Sequence, residues 1–116
     1  MLVFRYSRYS PWENDEIWES ASCWDFVTDP VEAMDGLTYA LGWDVEKIEI
    51  TYDHEDTVGW DADFEDRWWF ITRRFEGIIY LKNGKQYRFE ATVDYTSYEA
   101  AEDFEVDEIE VKIYND

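Results

Sequence analysis

Apolar and polar positions alternate along most of this chain, and that period of two predicts strands. Leu2, Phe4 and Tyr6 fall on one face of a first strand over Leu2–Tyr9, which Ser10-Pro11 interrupts. From Val45 to Asp53, Ile48, Ile50 and Tyr52 share one face, and Lys47, Glu49 and Thr51 the other. Arg67 to Phe75 sets Trp68, Phe70 and Thr72 against Trp69, Ile71 and Arg73. Segments Gly77–Lys82 and Lys85–Asp94 flank Asn83-Gly84, a pair suited to a type I′ turn because both central positions need positive φ. Ile109, Val111 and Ile113 alternate with Glu108, Glu110 and Lys112 in a closing strand.

Three stretches depart from that period. Thr28-Asp29-Pro30, with Glu32 close behind, is a helix start. Val31, Met34, Leu37, Tyr39 and Leu41 then support about three helical turns ending near Gly42. Trp12 to Val27 fits neither period, and Ser97 is placed to cap a single turn over Glu99–Glu102. The expected fold class is α+β: one principal helix packed on a mainly antiparallel sheet of five or six strands. Residues 1–116 are expected to form a single domain.

Composition changes the picture. Twenty-nine Asp and Glu against ten Lys and Arg leave a formal charge of −19 in 116 residues, yet a fifth of the residues are aromatic. Chains this acidic are usually poor in large apolar residues and stay disordered. Here seven Trp, nine Tyr and seven Phe supply a core, so the charge belongs on a folded surface. The lone Cys23 excludes an intramolecular disulfide framework. Arginines within the apolar opening stretch argue against a signal peptide, and no apolar run reaches the ~18 residues of a membrane span. The expected location is the cytoplasm.

The charges are not evenly spread. Between Arg67 and Arg88 six basic residues face Glu76 alone. The acids gather in three blocks: Glu13 to Glu19, Asp44 to Asp66, and Glu99 to Glu110. Cross-strand ion pairs account for part of this, but six bases cannot neutralise three such blocks. Alternate residues of a strand lie about 6.6 Å apart on one face, so rows of carboxylates approach the charge density of duplex DNA, about one charge per 1.7 Å of axis.

In size, in these three acidic blocks and in its lack of catalytic motifs, the chain resembles the phage-encoded DNA mimics that block restriction enzymes or CRISPR effectors. The resemblance implies an inhibitor that occupies the DNA- or PAM-binding surface of a basic nucleic-acid-binding protein, without itself binding nucleic acid or membrane. Its expected contact residues are Asp53, Glu55, Asp56, Asp61, Asp63, Glu65 and Asp66 in one patch, and Glu102, Asp103, Glu105, Asp107, Glu108 and Glu110 in another. Trp12, Trp18 and Trp60 lie within acidic stretches and are candidate anchors. The alternatives are a non-inhibitory acidic module or chaperone for a basic partner, and a small calcium- or carbohydrate-binding domain. Acidity as adaptation to a salty cytoplasm would give a general excess of acids, which the basic segment opposes.

Enzymatic chemistry has little support. Asp61-Ala-Asp63-Phe-Glu65-Asp66 has the alternate oxygen ligands of a calcium loop, but Asp66 stands where the turn glycine belongs and Thr72 where the closing Glu belongs. A solvated acidic loop is the plainer expectation. His54 lacks further soft ligands, and Cys23 sits far from it in an acidic context that discourages a thiolate. With so many carboxylates, a glycosidase-like pair carries no information. No enzyme activity, cofactor or metal is expected. The chain is expected to be a monomer or a homodimer, with Leu2–Tyr9 or Glu108–Tyr114 as a pairing edge.

Overall fold

A computed structural model describes residues 1–62, 67–98 and 103–115. Five antiparallel strands form one sheet: β1 (Leu2–Ser7), β2 (Val45–Ala62), β3 (Arg67–Leu81), β4 (Gln86–Tyr98) and β5 (Phe104–Tyr114). Their order is β1-β5-β4-β3-β2, a four-strand meander with the N-terminal strand added beside β5. Between β1 and β2 the chain makes two 3-10 turns, Pro11–Glu13 and Glu16–Glu19, then helices α1 (Asp25–Thr28) and α2 (Pro30–Ala40). The molecule is α+β-like, with the sheet dominant and one main helix.

One sheet face and the helical segment share the core. Phe75 and Ile79 of β3, Phe89, Ala91 and Val93 of β4, and Ile109, Val111 and Ile113 of β5 meet Phe26, Met34 and Leu37, all essentially fully buried. The Phe26 ring lies 5.5 Å from Trp18 and 6.0 Å from Phe75, joining the two layers. Asp29 starts α2 as expected: its Oδ1 accepts from Val31 N–H at 3.1 Å and Glu32 N–H at 3.3 Å, and Pro30 needs no partner at the first helical position. Gly42, at φ +78°, follows the helix, where an αL residue relieves the last carbonyls. The buried stripe is Ala33, Met34, Leu37 and Thr38, while Val31 and Tyr39 are exposed. Helical phase explains the difference from expectation: Tyr39 lies about 100° beyond Thr38 around the axis.

Strands β2 to β5 are longer than their sequence signals, while β1 ends at Ser7 rather than Tyr9. Gly77 lies inside one continuous β3, so the two strands expected at Arg67–Phe75 and Gly77–Lys82 are one. A Cβ there would meet the Glu49 carbonyl oxygen at 2.0 Å and the Phe89 ring at 2.8 Å, so glycine permits close approach. The β3–β4 turn is shifted by one residue: Gly84 N–H donates to Leu81 O and Leu81 N–H to Lys85 O. The central pair is therefore Lys82-Asn83, with Gly84 (φ +89°) in the bulge position of a three-residue loop. The turn expected at Glu99–Glu102 lies outside the described residues, and Ser97 continues β4.

A register shift between Ile50 and Tyr52 sets the character of β2. Ile48 and Ile50 face the core, but the extra residue turns Tyr52, His54 and Asp56 to the open face, opposite Glu76, Arg74 and Thr72. Asp53 and Glu55 pass to the helix side. Tyr52 therefore does not share a face with Ile48 and Ile50, because a bulge inverts side-chain alternation.

Candidate interaction surface

Carboxylates are the most abundant charged groups in the chain, and they differ in whether they have partners. On the helix side of the sheet, Arg73 grips Asp53 through both guanidinium arms, Nε–Oδ1 at 2.9 Å and Nη2–Oδ2 at 2.7 Å. Its Nη1 donates to the Val27 carbonyl at the end of α1 and stands 3.9 Å from Glu55. Glu55 also accepts from the Tyr95 hydroxyl at 2.8 Å. The Arg73 bond holds the Asp53 carboxyl below its usual range. Burial, then the bond to Glu55, raises the Tyr95 phenol. Past this polar layer β3 is no longer buried: none of Trp68–Arg73 is, although Ile71 still packs against the core.

Toward the opposite edge of the sheet Arg8, just past β1, contacts Glu105 and lies 2.7 Å from Asp107. Asp107 is 7% exposed and accepts from Thr96 Oγ1 at 2.8 Å and the Tyr9 hydroxyl at 3.3 Å. Tyr98 donates to Glu105 at 3.0 Å, and Arg8 with Tyr98 lowers that carboxyl's pKa. On the open face Glu110 bridges Arg5 (3.0 Å) and Lys112 (3.5 Å), and its pKa falls, mainly through Arg5. Arg74 lies 3.5 Å from Glu76 and 4.0 Å from Glu90; Lys47 and Lys82 pair with Glu49 and Asp44. Arg88 covers the Tyr114 ring at 4.6 Å.

The expected contact residues thus fare differently. Asp53 and Glu55 share one face of β2, whereas Asp56 lies on the other, 2.9 Å from His54 Nε2. Trp60 and Asp61 are placed by register opposite Trp69 and Trp68. Asp63, Glu65, Asp66 and Glu102 lie outside the described residues. Of the second patch, Glu105, Asp107 and Glu110 are in internal ion pairs, while Asp103 and Glu108 are exposed without an ion pair among the described residues. Trp18 is not a free anchor: it packs on Tyr6 and Phe26, and its indole N–H donates to Arg5 O at 2.7 Å.

A different charge pattern marks the segment that joins β1 to the start of β2. From Tyr9 to Glu46 the chain carries ten acidic residues and no Lys or Arg. Asp15 and Asp29 cap backbone N–H groups and Asp44 meets Lys82. Glu13, Glu16, Glu19, Glu32, Asp35 and Glu46 are exposed and take no ion pair among the described residues. Glu32, Asp35 and Tyr39 follow i, i+3, i+7 spacing and line one outward stripe of α2. Tyr39 (83% exposed), on the outward stripe of α2, and Trp12 (77%), in the turn beside β1, are large exposed aromatic surfaces. The signal that would have found this pattern is the absence of any base over that stretch.

A polar cleft of about 650 Å³ lies between the Ser10–Asn14 turn and the open face, with Arg5, Asp94, Glu108 and Glu110 in its walls. Among the described residues no three His, Cys, Asp or Glu side chains are placed to hold a metal ion. Burial pushes the Cys23 thiol up to about 11, so it is protonated at neutral pH. No described helix is long and apolar enough to cross a membrane. No family model matches the chain, and neither the curated proteins nor the solved structures give a match.

Proposed function

We propose that this protein is an acidic inhibitor that docks its helical layer into the basic nucleic-acid-binding surface of another protein, inside the cell, and competes with phosphates there. One observation carries the reading: many of the sheet's acids are paired with its own arginines and lysines, whereas residues 9–46 have ten acids and no base. Uncompensated charge destabilises a compact state by self-repulsion, and an external cationic surface relieves it. Along α2, Glu32 and Asp35 are separated by about 4.5 Å of axis, a spacing that arginines arranged for duplex phosphates can meet. Trp12 and Tyr39 supply the apolar anchors that charge alone lacks.

The test is capture from a cell lysate on immobilised protein, with salt-gradient elution, identification by mass spectrometry, and duplex DNA as competitor. A nucleic-acid enzyme released by moderate salt and displaced by DNA is the expected result. Reversing Glu16, Glu19, Glu32 and Asp35 to Lys should abolish capture. A partner retained against excess DNA, or by the reversed protein, would overturn the mechanism. A partner that is captured yet keeps its own DNA affinity would favour a chaperone-like module.

A further inference from the structure

The two edges of the sheet are finished differently. At β1 the outward backbone groups are closed from within. Asp15 accepts from Arg5 N–H at 2.9 Å, Asn14 accepts from Ser7 N–H at 2.7 Å and donates to Ser7 O at 3.2 Å, and Trp18 donates to Arg5 O. That edge cannot pair with another chain over Arg5–Ser7. The alternative pairing edge expected from the sequence, Glu108–Tyr114, is interior, because β5 lies between β1 and β4.

The edge at β2 has no such closure. Leu81 N–H bonds Lys85 O while Lys82 N–H bonds Asp44 O, which fixes which β3 residues face which neighbour. Thr72, Arg74 and Glu76 turn their backbone groups toward β2, where they meet Asp56, His54 and Tyr52. Asp53, Glu55 and Thr57 therefore turn their N–H and C=O groups outward. Among the described residues nothing bonds to them. Tyr52–Thr57 is an unbroken run between two register shifts, and every residue in it is exposed.

We propose that this run accepts an extended basic segment of a partner protein as a sixth strand. Main-chain hydrogen bonds supply the affinity in such strand addition, and flanking side chains the selectivity. Asp56 flanks the edge on the open face with no Lys or Arg partner among the described residues, whereas Asp53 and Glu55 on the other face are shared with Arg73, so an incoming Lys or Arg finds its carboxylate at cross-strand distance on the open face. A second copy of β2 would set acids against acids, which disfavours self-pairing. The proposal is independent of the role given to the helical layer, since it requires backbone pairing at β2 rather than charge on residues 9–46.

The experiment uses a nine-residue peptide of alternating Lys and Val, and the same peptide N-methylated at alternate residues, which keeps charge but removes backbone donors. The expected result is binding of the first, slowed amide exchange at Asp53, Glu55 and Thr57, and at least about tenfold weaker binding of the second. Thr57→Pro removes one outward N–H at an edge position that tolerates proline and should weaken binding as well. Equal binding of both peptides, no binding of either, or unchanged exchange at those three amides would each overturn the proposal. The N-methylated peptide keeps the test decisive if Thr57→Pro does not fold.

Discussion

The sheet and the helical layer share one core but handle charge in opposite ways. In the sheet nearly every basic side chain is engaged, and acids such as Asp53, Glu105 and Glu110 have pKa values lowered by the cations they touch. Among the described residues, the exposed acids of the helical layer face water without a cation, apart from Asp44 beside Lys82. The sheet's charges thus belong to the fold, while the helical layer's surplus costs stability and calls for a role outside it.

The most direct way to break the comparison is to separate the layers. Phe26 is fully buried between Trp18 and Phe75, so Phe26→Ala should cost about 3–5 kcal/mol through lost burial and an unfilled cavity. Urea unfolding followed by tryptophan fluorescence measures it. A cost below about 1 kcal/mol would mean that the helical layer is not held through this contact.

Next comes the ion pair at the boundary. Arg73→Met keeps the aliphatic stem but strips Asp53 and the Val27 carbonyl of their donor and Glu55 of a nearby cation, at an expected cost of about 1.5–3 kcal/mol. Asp53 also sets a pH signature. Its folded pKa is depressed, so its contribution is fully present above the ordinary aspartate value of about 3.9 and is lost as pH falls through the folded value. Melting temperature followed from pH 6 to 2.5 should show this acid limb in the native protein and a shallower one in Arg73→Met.

How far the fold was legible follows from the same regions. Strand alternation and the Asp29-Pro30 start marked all five strand regions and α2, because each depends on residues close in sequence. The bulge at Thr51 was not legible: Ile48, Ile50 and Tyr52 keep a period of two, and only pairing with β3 reveals the extra residue. For the same reason Asp53 and Glu55 read as free acids until Arg73, twenty and eighteen residues away, is placed beside them. Trp12 to Val27 resisted assignment because its order comes from capping the β1 edge, a tertiary task without a period. Acid counts marked where carboxylates cluster, but which of them remain unpaired is a property of the sheet register.

The same charge reversal should have opposite signs in the two regions. Glu110→Lys breaks the contacts to Arg5 and Lys112 and brings three cations together, and should lower stability by about 0.5–1 kcal/mol. Asp35→Lys removes one unpaired acid from an exposed helix position and substitutes a better helix former, and should raise stability by about 0.5 kcal/mol. Parallel urea titrations decide it; equal signs would show that charge in the two layers is handled alike.

The smallest effect is also the most specific to unpaired charge. Raising salt from 0.1 M to 1 M shortens the screening length from about 10 Å to about 3 Å. Repulsion among the helical layer's acids acts over such distances, whereas the Arg73–Asp53 contact at 2.7 Å is short and largely shielded from solvent on the arginine side. Salt should therefore stabilise the native protein by a few degrees of melting temperature. Asp35→Lys should gain slightly less than the native protein, by tenths of a kcal/mol, because part of the repulsion has already gone. If salt instead lowers the melting temperature, attraction within the sheet outweighs repulsion in the helical layer, and the surplus there is not the strain that a partner would relieve.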